Sequence, residues 1–546
     1  VVAYGYRVGE VLLPPLGPIK QSAKFGPVAE TDPQRRPPIA ASLGCHLEGY
    51  TEPEPDPNDP FTMAAGVCKR FAIAPPTPDL SRLLRLQLFV RKFIRKNFTP
   101  LDWNSDTSIE TWLEHTAYPL WRKEELKKVW EKCGGRLTSK DLRCKSFMKD
   151  ETYPEFKHAR GINSRSDAFK CMVGPIFKLI EKVVYDHPSF IKHVPVHKRP
   201  DYIMGKLHQL GAKYFATDYT AFESLFVREV MEACEFELYD YMTQQLPDHD
   251  WFMEVCHGVL AGLNHCDYKA FTVELQATRM SGEMCTSLGN GFSNLMFMLF
   301  LCEEVGSTFV DGVVEGDDGL FVISGPAPSK ADFESIGLLI KLETVDDISE
   351  ASFCGILFDP VERANVRDPR RVLATFGWTA GKYAASGSRK MKALLRCKAL
   401  SLAHQYPGCP IIQELAQYGL RVTVGVHSGD LWKTANSKSV NEYQRGVLMD
   451  ALLNPVPPAQ VGIRSRLLVE RMFQVPVEDQ LRFESYLSKL STIQPLQPGV
   501  LEPILSPVWK SYNDKYVLPA PAVLWYPALP VRREWKYDEV CKLTGW

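Results

Sequence analysis

No Cys-x-x-Cys pair occurs in the chain, and its fourteen cysteines lack the spacing of a zinc ribbon or finger. Scattered cysteines in a large chain suit a reducing compartment, where most act as small buried hydrophobes. Cys256-His257 and His265-Cys266 accordingly read as core and loop residues rather than a metal cluster. Net charge is −1, so no excess of one sign points to nucleic acid. Long apolar runs are missing too. The longest, 292–302, is interrupted by Ser293 and Asn294 and reads as a buried helix, too short to span a bilayer. Residues 1–10 lack the basic start and apolar centre of a secretory signal, so any membrane attachment is expected to come from elsewhere. No internal repeat is visible.

What is present is enough apolar material for a sizeable core: 45% of 546 residues are hydrophobic and 24% charged. Residues 1–78 are proline-rich and read as an extended segment. Asp79 is placed to cap a helix through Leu83, Leu86, Val90, Phe93 and Ile94, with a basic opposite face. Further helices are expected over 175–185, 225–245 and 289–305. A strand is expected over 214–218. Two largely apolar runs, 309–314 and 320–323, flank Glu315-Gly316-Asp317-Asp318-Gly319, a hairpin pattern with an acidic turn. Beyond residue 398 the pattern is mainly helical, then proline-rich from 495 to 530. The expected class is α+β.

The acidic turn carries the chemistry. Adjacent aspartates disfavour joint ionisation unless a cation is present, and magnesium prefers carboxylate and phosphate oxygens. Gly-Asp-Asp alone is a common turn. Asp218, at the end of an apolar strand, adds a third carboxylate and makes a two-metal site, with ions about 3.5–4 Å apart, the economical reading. Between these acids lies Ser281-Gly282-Glu283-Met284-Cys285-Thr286-Ser287-Leu288-Gly289-Asn290. Its glycine permits close backbone approach. Thr286 and Asn290, four apart, share a helix face and offer a hydroxyl and an amide to a sugar.

In order and form these segments resemble the palm motifs of positive-strand RNA virus RNA-dependent RNA polymerases. The first is Asp218-x4-Glu223, the second Ser281-Gly282-x3-Thr286-x3-Asn290, and the third Gly316-Asp317-Asp318. The style is closest to tombus-like and noda-like viruses. Many relatives carry Asp where this chain has Glu223. The resemblance spans roughly 145–360 and implies a right hand of fingers, palm and thumb, with a small antiparallel palm sheet backed by helices. It implies that Asp218, Asp317 and Asp318 hold two Mg2+ ions, with Mn2+ as a substitute, and that Glu223 and Asn290 act near the ribose. Phe147-Met148-Lys149-Asp150-Glu151 and Lys157-His158-Ala159-Arg160-Gly161-Ile162 resemble the fingers motif over the triphosphate tunnel, which assigns Lys149, Lys157, Arg160 and Arg165 to incoming phosphates. Lys341 resembles the lysine that protonates pyrophosphate, with Lys330 as competitor. Phe353-Cys354-Gly355 resembles the turn that grips the primer strand.

These assignments divide the chain into an N-terminal extension (1–78) bridging fingers and thumb, fingers (79–213, with part of 225–280), palm (214–362) and thumb with C-terminal segment (363–546). Residues 363–398 hold ten Lys/Arg and one acid, Asp368. Alone this run reads as a solvated face; between palm and thumb it is expected to meet product RNA through Arg370, Arg371, Lys382, Arg389, Lys390 and Lys392. The expected partners are template and nascent RNA, nucleoside triphosphates and other viral replication proteins. The expected location is host cytoplasm, at membrane-bound replication complexes reached through a partner or another segment, or within a virion. A reverse transcriptase and an inactive RNA-binding scaffold stay open as alternatives. Trp525, Tyr526, Trp535 and Trp546 read either as thumb packing or as a priming or autoinhibitory element.

Overall fold

A computed structural model describes residues 6–8, 11–27, 40–50, 54–149, 151, 153, 156–209, 211–438, 440–503, 506–516 and 530–531. The C-terminal aromatics singled out above lie outside the described residues, as do Asp150 and parts of the proline-rich N-terminal segment. The class is α+β.

Helix α1 (Leu80–Asn97) begins where the sequence places it. The Asp79 carboxylate accepts from the Ser81 and Arg82 backbone N–H groups, which would otherwise be orphaned. Leu83, Leu86, Val90 and Ile94 recur at helical spacing and are buried. Its basic side is largely a fastening device. Arg82 reaches Asp332, Arg85 pairs with Glu304, and Arg91 with Glu237. Helix α2 (Asp167–Val184) starts upstream of the expected 175, with Pro175 inside it. Ser166 caps the Phe169 N–H, and buried Phe169, Ile176, Phe177 and Ile180 outweigh the single hydrogen bond that proline forfeits.

A four-stranded antiparallel sheet forms the centre. Its strands are β1 (Lys213–Tyr219), β2 (Phe309–Glu315), β3 (Asp318–Ser324) and β4 (Ile340–Val345), in the spatial order β2-β3-β1-β4. Side chains alternate between two buried faces. Phe215, Phe321 and Ile323 join the core of helix α3 (Thr286–Val305), which contributes Phe292, Leu295 and Phe297. Tyr214, Leu320 and Val322 pack on the other side with Ile203, Met204 and Leu207 of the helix Arg199–Leu207. Glycine is required at 312, where an added methyl would lie 2.2 Å from the Phe321 ring.

The pattern over 225–245 is not one helix. It is cut into Phe222–Leu225, Arg228–Ala233 and Glu235–Thr243, with the last break at Cys234. There Glu235 turns inward to a buried ion pair with Arg279, an interaction no local periodicity reveals.

A five-stranded sheet orders Lys24–Phe25, Thr272–Gln276, Leu263–Asp267, Cys144–Met148 and Gly161–Ser164 side by side. Farther along the N-terminal segment, Ala40–Ser42 pairs with Trp378–Ala380. That segment therefore ties the sheet carrying residues 144–164 to the chain beyond the central sheet. Helices from Ser388–Gln405 to Val477–Lys489 surround a separate core containing Leu395, Ile412, Leu415, Tyr418, Val469 and Leu487. Among the described residues, no helix is long and apolar enough to cross a membrane.

Leu86 is fully buried where α1 meets the central core. Leu86→Ala is expected to cost about 2–5 kcal/mol in urea unfolding; a loss below about 1 kcal/mol would mean that α1 does not pack as described.

Candidate active site

The register of the central sheet gathers the acids. Thr217 on β1 faces Gly319 on β3, Lys341 on β4 faces Asp218, and Glu315 faces Asp318 across the hairpin. The turn is thus two residues, Gly316-Asp317, and Gly316 takes φ +61°, a conformation glycine adopts without strain. Asp218, Asp317 and Asp318 all end at one edge of the sheet and are exposed there.

Asn294 on α3 holds this turn. Its Nδ2 donates to the carbonyls of Gly316 (3.4 Å) and Asp317 (3.0 Å), while its Oδ1 accepts from the Tyr219 hydroxyl (3.2 Å). The residue is fully buried. The sequence contained the signal, an amide inside the longest apolar run, but its partners lie on other elements. Gly319 completes the fit, because a methyl there would meet Thr217 Oγ1 at 2.7 Å and Asn294 Nδ2 at 3.0 Å.

Asp318 opens to the cleft, yet burial on its inner side, and then the charge of Asp317, raise its carboxyl to about 7; Glu315 and Asp218 push the same way. Glu315 is itself held by Arg199 Nη2 at 2.6 Å, with Cys354 Sγ 3.8 Å away. Among the described residues, no three His, Cys, Asp or Glu side chains converge as a preformed metal-ligand set. The donor chemistry nevertheless suits a hard divalent cation: three carboxylates line one rim, and burial together with the neighbouring charge makes one of them harder to ionise.

Several residues assigned to nucleotide binding border this rim. Lys149 and Arg160 both pair with Glu151, and the Lys149 N–H donates to the Arg160 carbonyl at 2.8 Å. Burial would raise the Glu151 carboxyl, but Arg160 and Lys149 bring it down to about 2. Arg160 also feels the charge of Asp317. Lys157 is exposed. Glu223 has its carboxyl raised by burial and then by Asp317, an effect opposed by Arg70 and Arg160. Arg70, at the end of the helix Pro60–Arg70, was not anticipated; its buried Nε has no hydrogen-bond partner. It reaches the site only because the N-terminal segment folds back.

In the loop between the acids, Ser281 Oγ donates to the Gly161 carbonyl at 2.8 Å, and a methyl on Gly282 would sit 2.6 Å from the Asn163 carbonyl. Thr286 Oγ1 donates to the Met280 carbonyl at 2.9 Å, so its hydroxyl proton is already committed within the loop. Asn290, the first-turn partner of Thr286, is 4% exposed and its Oδ1 has no hydrogen-bond partner. A buried amide oxygen without a partner is uncommon in a folded chain.

Other expected residues lie elsewhere or are already engaged. The Arg165 side chain is 2% exposed. It pairs with Glu283 at 2.6 Å, also bonds Asn264, and stands over the Phe169 ring at 5.3 Å. It braces the loop from behind and is not open to a triphosphate; its expected phosphate contact is corrected on that ground. Lys341 lies beside Asp218, exposed, with Nζ 2.6 Å from Glu343. Lys330 opens the helix Lys330–Ser335, away from the register positions of the three aspartates. Within the basic stretch, Arg370 donates to the Gln474 carbonyl, Arg371 lies 3.6 Å from Asp368, Arg389 pairs with Asp430, and Lys390 donates to Thr434. Lys382 and Lys390 flank the Tyr383 ring, and Lys392 is exposed. Much of the positive charge counted in sequence is therefore matched by acids and carbonyls distant in sequence.

No protein-family model and no curated protein matches the chain. The reading of the site rests on its chemistry.

Asp318 has a folded-state pKa raised above the unfolded value, so the folded chain binds its proton more tightly. Its stability contribution is greatest at low pH and is lost as pH rises from about 4 toward about 7. Asp318→Asn should therefore raise the melting temperature at pH 8 and have little effect at pH 4.5. Equal shifts at both pH values would contradict the crowding of these carboxylates. Asn294→Ala should cost about 1–3 kcal/mol by denaturant titration, because it strands buried polar partners.

Proposed function

We propose that the chain is an RNA-dependent RNA polymerase of the right-hand type, adding ribonucleoside monophosphates to an RNA 3′ end. The observation that carries the reading is the register of the central sheet, which sets Asp218 beside the Asp317-Asp318 hairpin at one edge. The unpartnered Oδ1 of Asn290 and the basic residues Lys149, Lys157 and Arg160 add to it. On this reading the central sheet is the palm, residues 144–164 belong to the fingers, and the helices after 388 form the thumb.

Magnesium bound at such a site neutralises charge on the attacking 3′-oxygen and on the leaving pyrophosphate. The chain's own residues do the rest by positioning. Asp218, Asp317 and Asp318 supply hard oxygen ligands on a rigid edge. Arg160 and Lys149, which neutralise Glu151 in the absence of substrate, exchange that partner for the triphosphate; Arg does so with a bidentate fork and Lys as a point charge. Asn290 and Glu223 act on the incoming ribose, Asn290 as an acceptor through its Oδ1. Lys341, cross-strand from Asp218, is placed to deliver a proton to pyrophosphate. Template and product strands pass between the palm and the helices after 388, where Lys382 and Lys392 offer phosphate contacts. Replication of a viral RNA in host cytoplasm, with other replication proteins, is the setting that accords with this activity.

Labelled UTP incorporation on poly(A), with and without oligo(U), tests the proposal. Wild-type chain should synthesise in Mg2+ or Mn2+, and Asp317→Ala should lower the rate by at least about 1,000-fold. Synthesis unchanged in Asp317→Ala would remove the acidic hairpin from catalysis. Faster use of dTTP than UTP would favour a reverse transcriptase. RNA binding without synthesis under all conditions would favour a scaffold.

A further inference from the structure

One buried ion pair adjoins the backbone of Glu223 and Gly289 and has no part in the chemistry so far described. The Arg279 and Glu235 side chains are 3% and 1% exposed and form a close pair. Arg279 stacks on the Phe226 ring with its guanidinium carbon 4.3 Å from the centroid, and its Nη1 donates to Cys285 Sγ at 3.5 Å. The second Glu235 oxygen accepts from the Tyr239 hydroxyl at 2.8 Å. Burying such a pair costs several kcal/mol of desolvation per ion, and an apolar substitute is often no less stable. Stability alone therefore gives no reason for its presence.

Its connections supply one. The backbone N–H of Arg279 donates to the carbonyl of Glu223 at 3.1 Å. On the opposite side the pair presses on Gly289, where a methyl would lie 2.6 Å from Arg279 Nη1 and closer still to the Glu235 carboxylate. Gly289 immediately precedes Asn290. The pair is thus the spacer between Glu223 and Asn290, the two residues read as facing the ribose. The chain entering it is strained: Ala277 and Thr278 take φ +46° and +113°, unusual for residues with a side chain. Buried contacts hold that corner, with Lys20 Nζ donating to Thr278 Oγ1 at 2.6 Å and the Thr278 N–H donating to the Phe226 carbonyl at 3.2 Å. Strain kept in place from several directions marks a position where geometry matters.

We propose that Arg279, locked by Glu235, is a positioning residue for sugar selection: it sets the separation of Glu223 and Asn290 and thereby the preference for ribose over deoxyribose. The inference rests on the polymerase reading. A site built to satisfy a hydroxyl discriminates against its absence only while its polar groups are held in register.

Two variants test it in the full chain. Gly289→Ala wedges a methyl against the pair and leaves both charges present. Arg279→Met with Glu235→Leu removes both charges together, so that no ion is left buried and unpaired and the fold is kept. For each, kcat and KM are measured with UTP and with 2′-deoxy-UTP on poly(A). Both variants should reduce the ratio of kcat/KM for UTP to that for 2′-deoxy-UTP by about tenfold or more, chiefly through a higher KM for UTP. A ratio unchanged while both activities fall together would make the pair merely structural and overturn the proposal. Absence of synthesis by the wild-type chain would overturn the functional reading itself, before any substitution is compared.

Discussion

Everything at the candidate site follows from the repulsion of carboxylates that the backbone refuses to separate. Asp218 and Asp318 sit on hydrogen-bonded neighbouring strands, and Asp317 occupies the turn between β2 and β3. Left free, such groups would move apart. Here the strand register fixes two of them and Asn294 fixes the turn, and burial, with the charge of Asp317 added to it, raises the Asp318 carboxyl. Carboxylates this close disfavour joint ionisation.

The surroundings of the rim divide by sign. Arg199 secures Glu315 on one side, while Lys149, Arg160 and Glu151 form a triad on the other. The cations nearest the acids have acidic partners in the chain itself. The interior also contains two enclosed ion pairs, Arg165–Glu283, which the loop 281–286 itself makes, and Arg279–Glu235 just before that loop. That loop is braced by charge as well as by packing, and buried pairs of this kind favour one arrangement over its near alternatives.

The N-terminal segment has a larger part than its proline content suggested. It adds Lys24–Phe25 to the sheet that includes Cys144–Met148, pairs Ala40–Ser42 with Trp378–Ala380, brings Arg70 near Glu223, and buries Lys20 against Thr278. Burial lowers the Lys20 ammonium to about 7, the cost of placing a cation at a strained corner. Proline-rich composition reads as extended chain, but residues 60–70 form a helix that Pro60 opens and Asp59 caps, and composition says nothing of what the rest lies across.

Local rules determined a good deal. Asp79 as a cap, the apolar stripe of α1, the strand leading into Asp218 and an acidic hairpin around 315–319 are short-range consequences of side-chain chemistry and of the two periodicities, and each was legible along the chain, whereas the strand register narrowed the turn to Gly316-Asp317. Asp218 and the Asp317-Asp318 pair stood out as acids bordering apolar runs, and Asn290 through its four-residue spacing from Thr286. Only the tertiary structure decided which charges were already matched. Arg165 is enclosed with Glu283, Arg389 is paired with Asp430, and the helix expected over 225–245 breaks where Glu235 meets Arg279. Asn294 and Arg70 likewise became meaningful only through partners on other elements. The physical reason is the same throughout: periodicity is a property of neighbours in sequence, whereas ion pairing and hydrogen-bond satisfaction are settled between residues that only folding brings together.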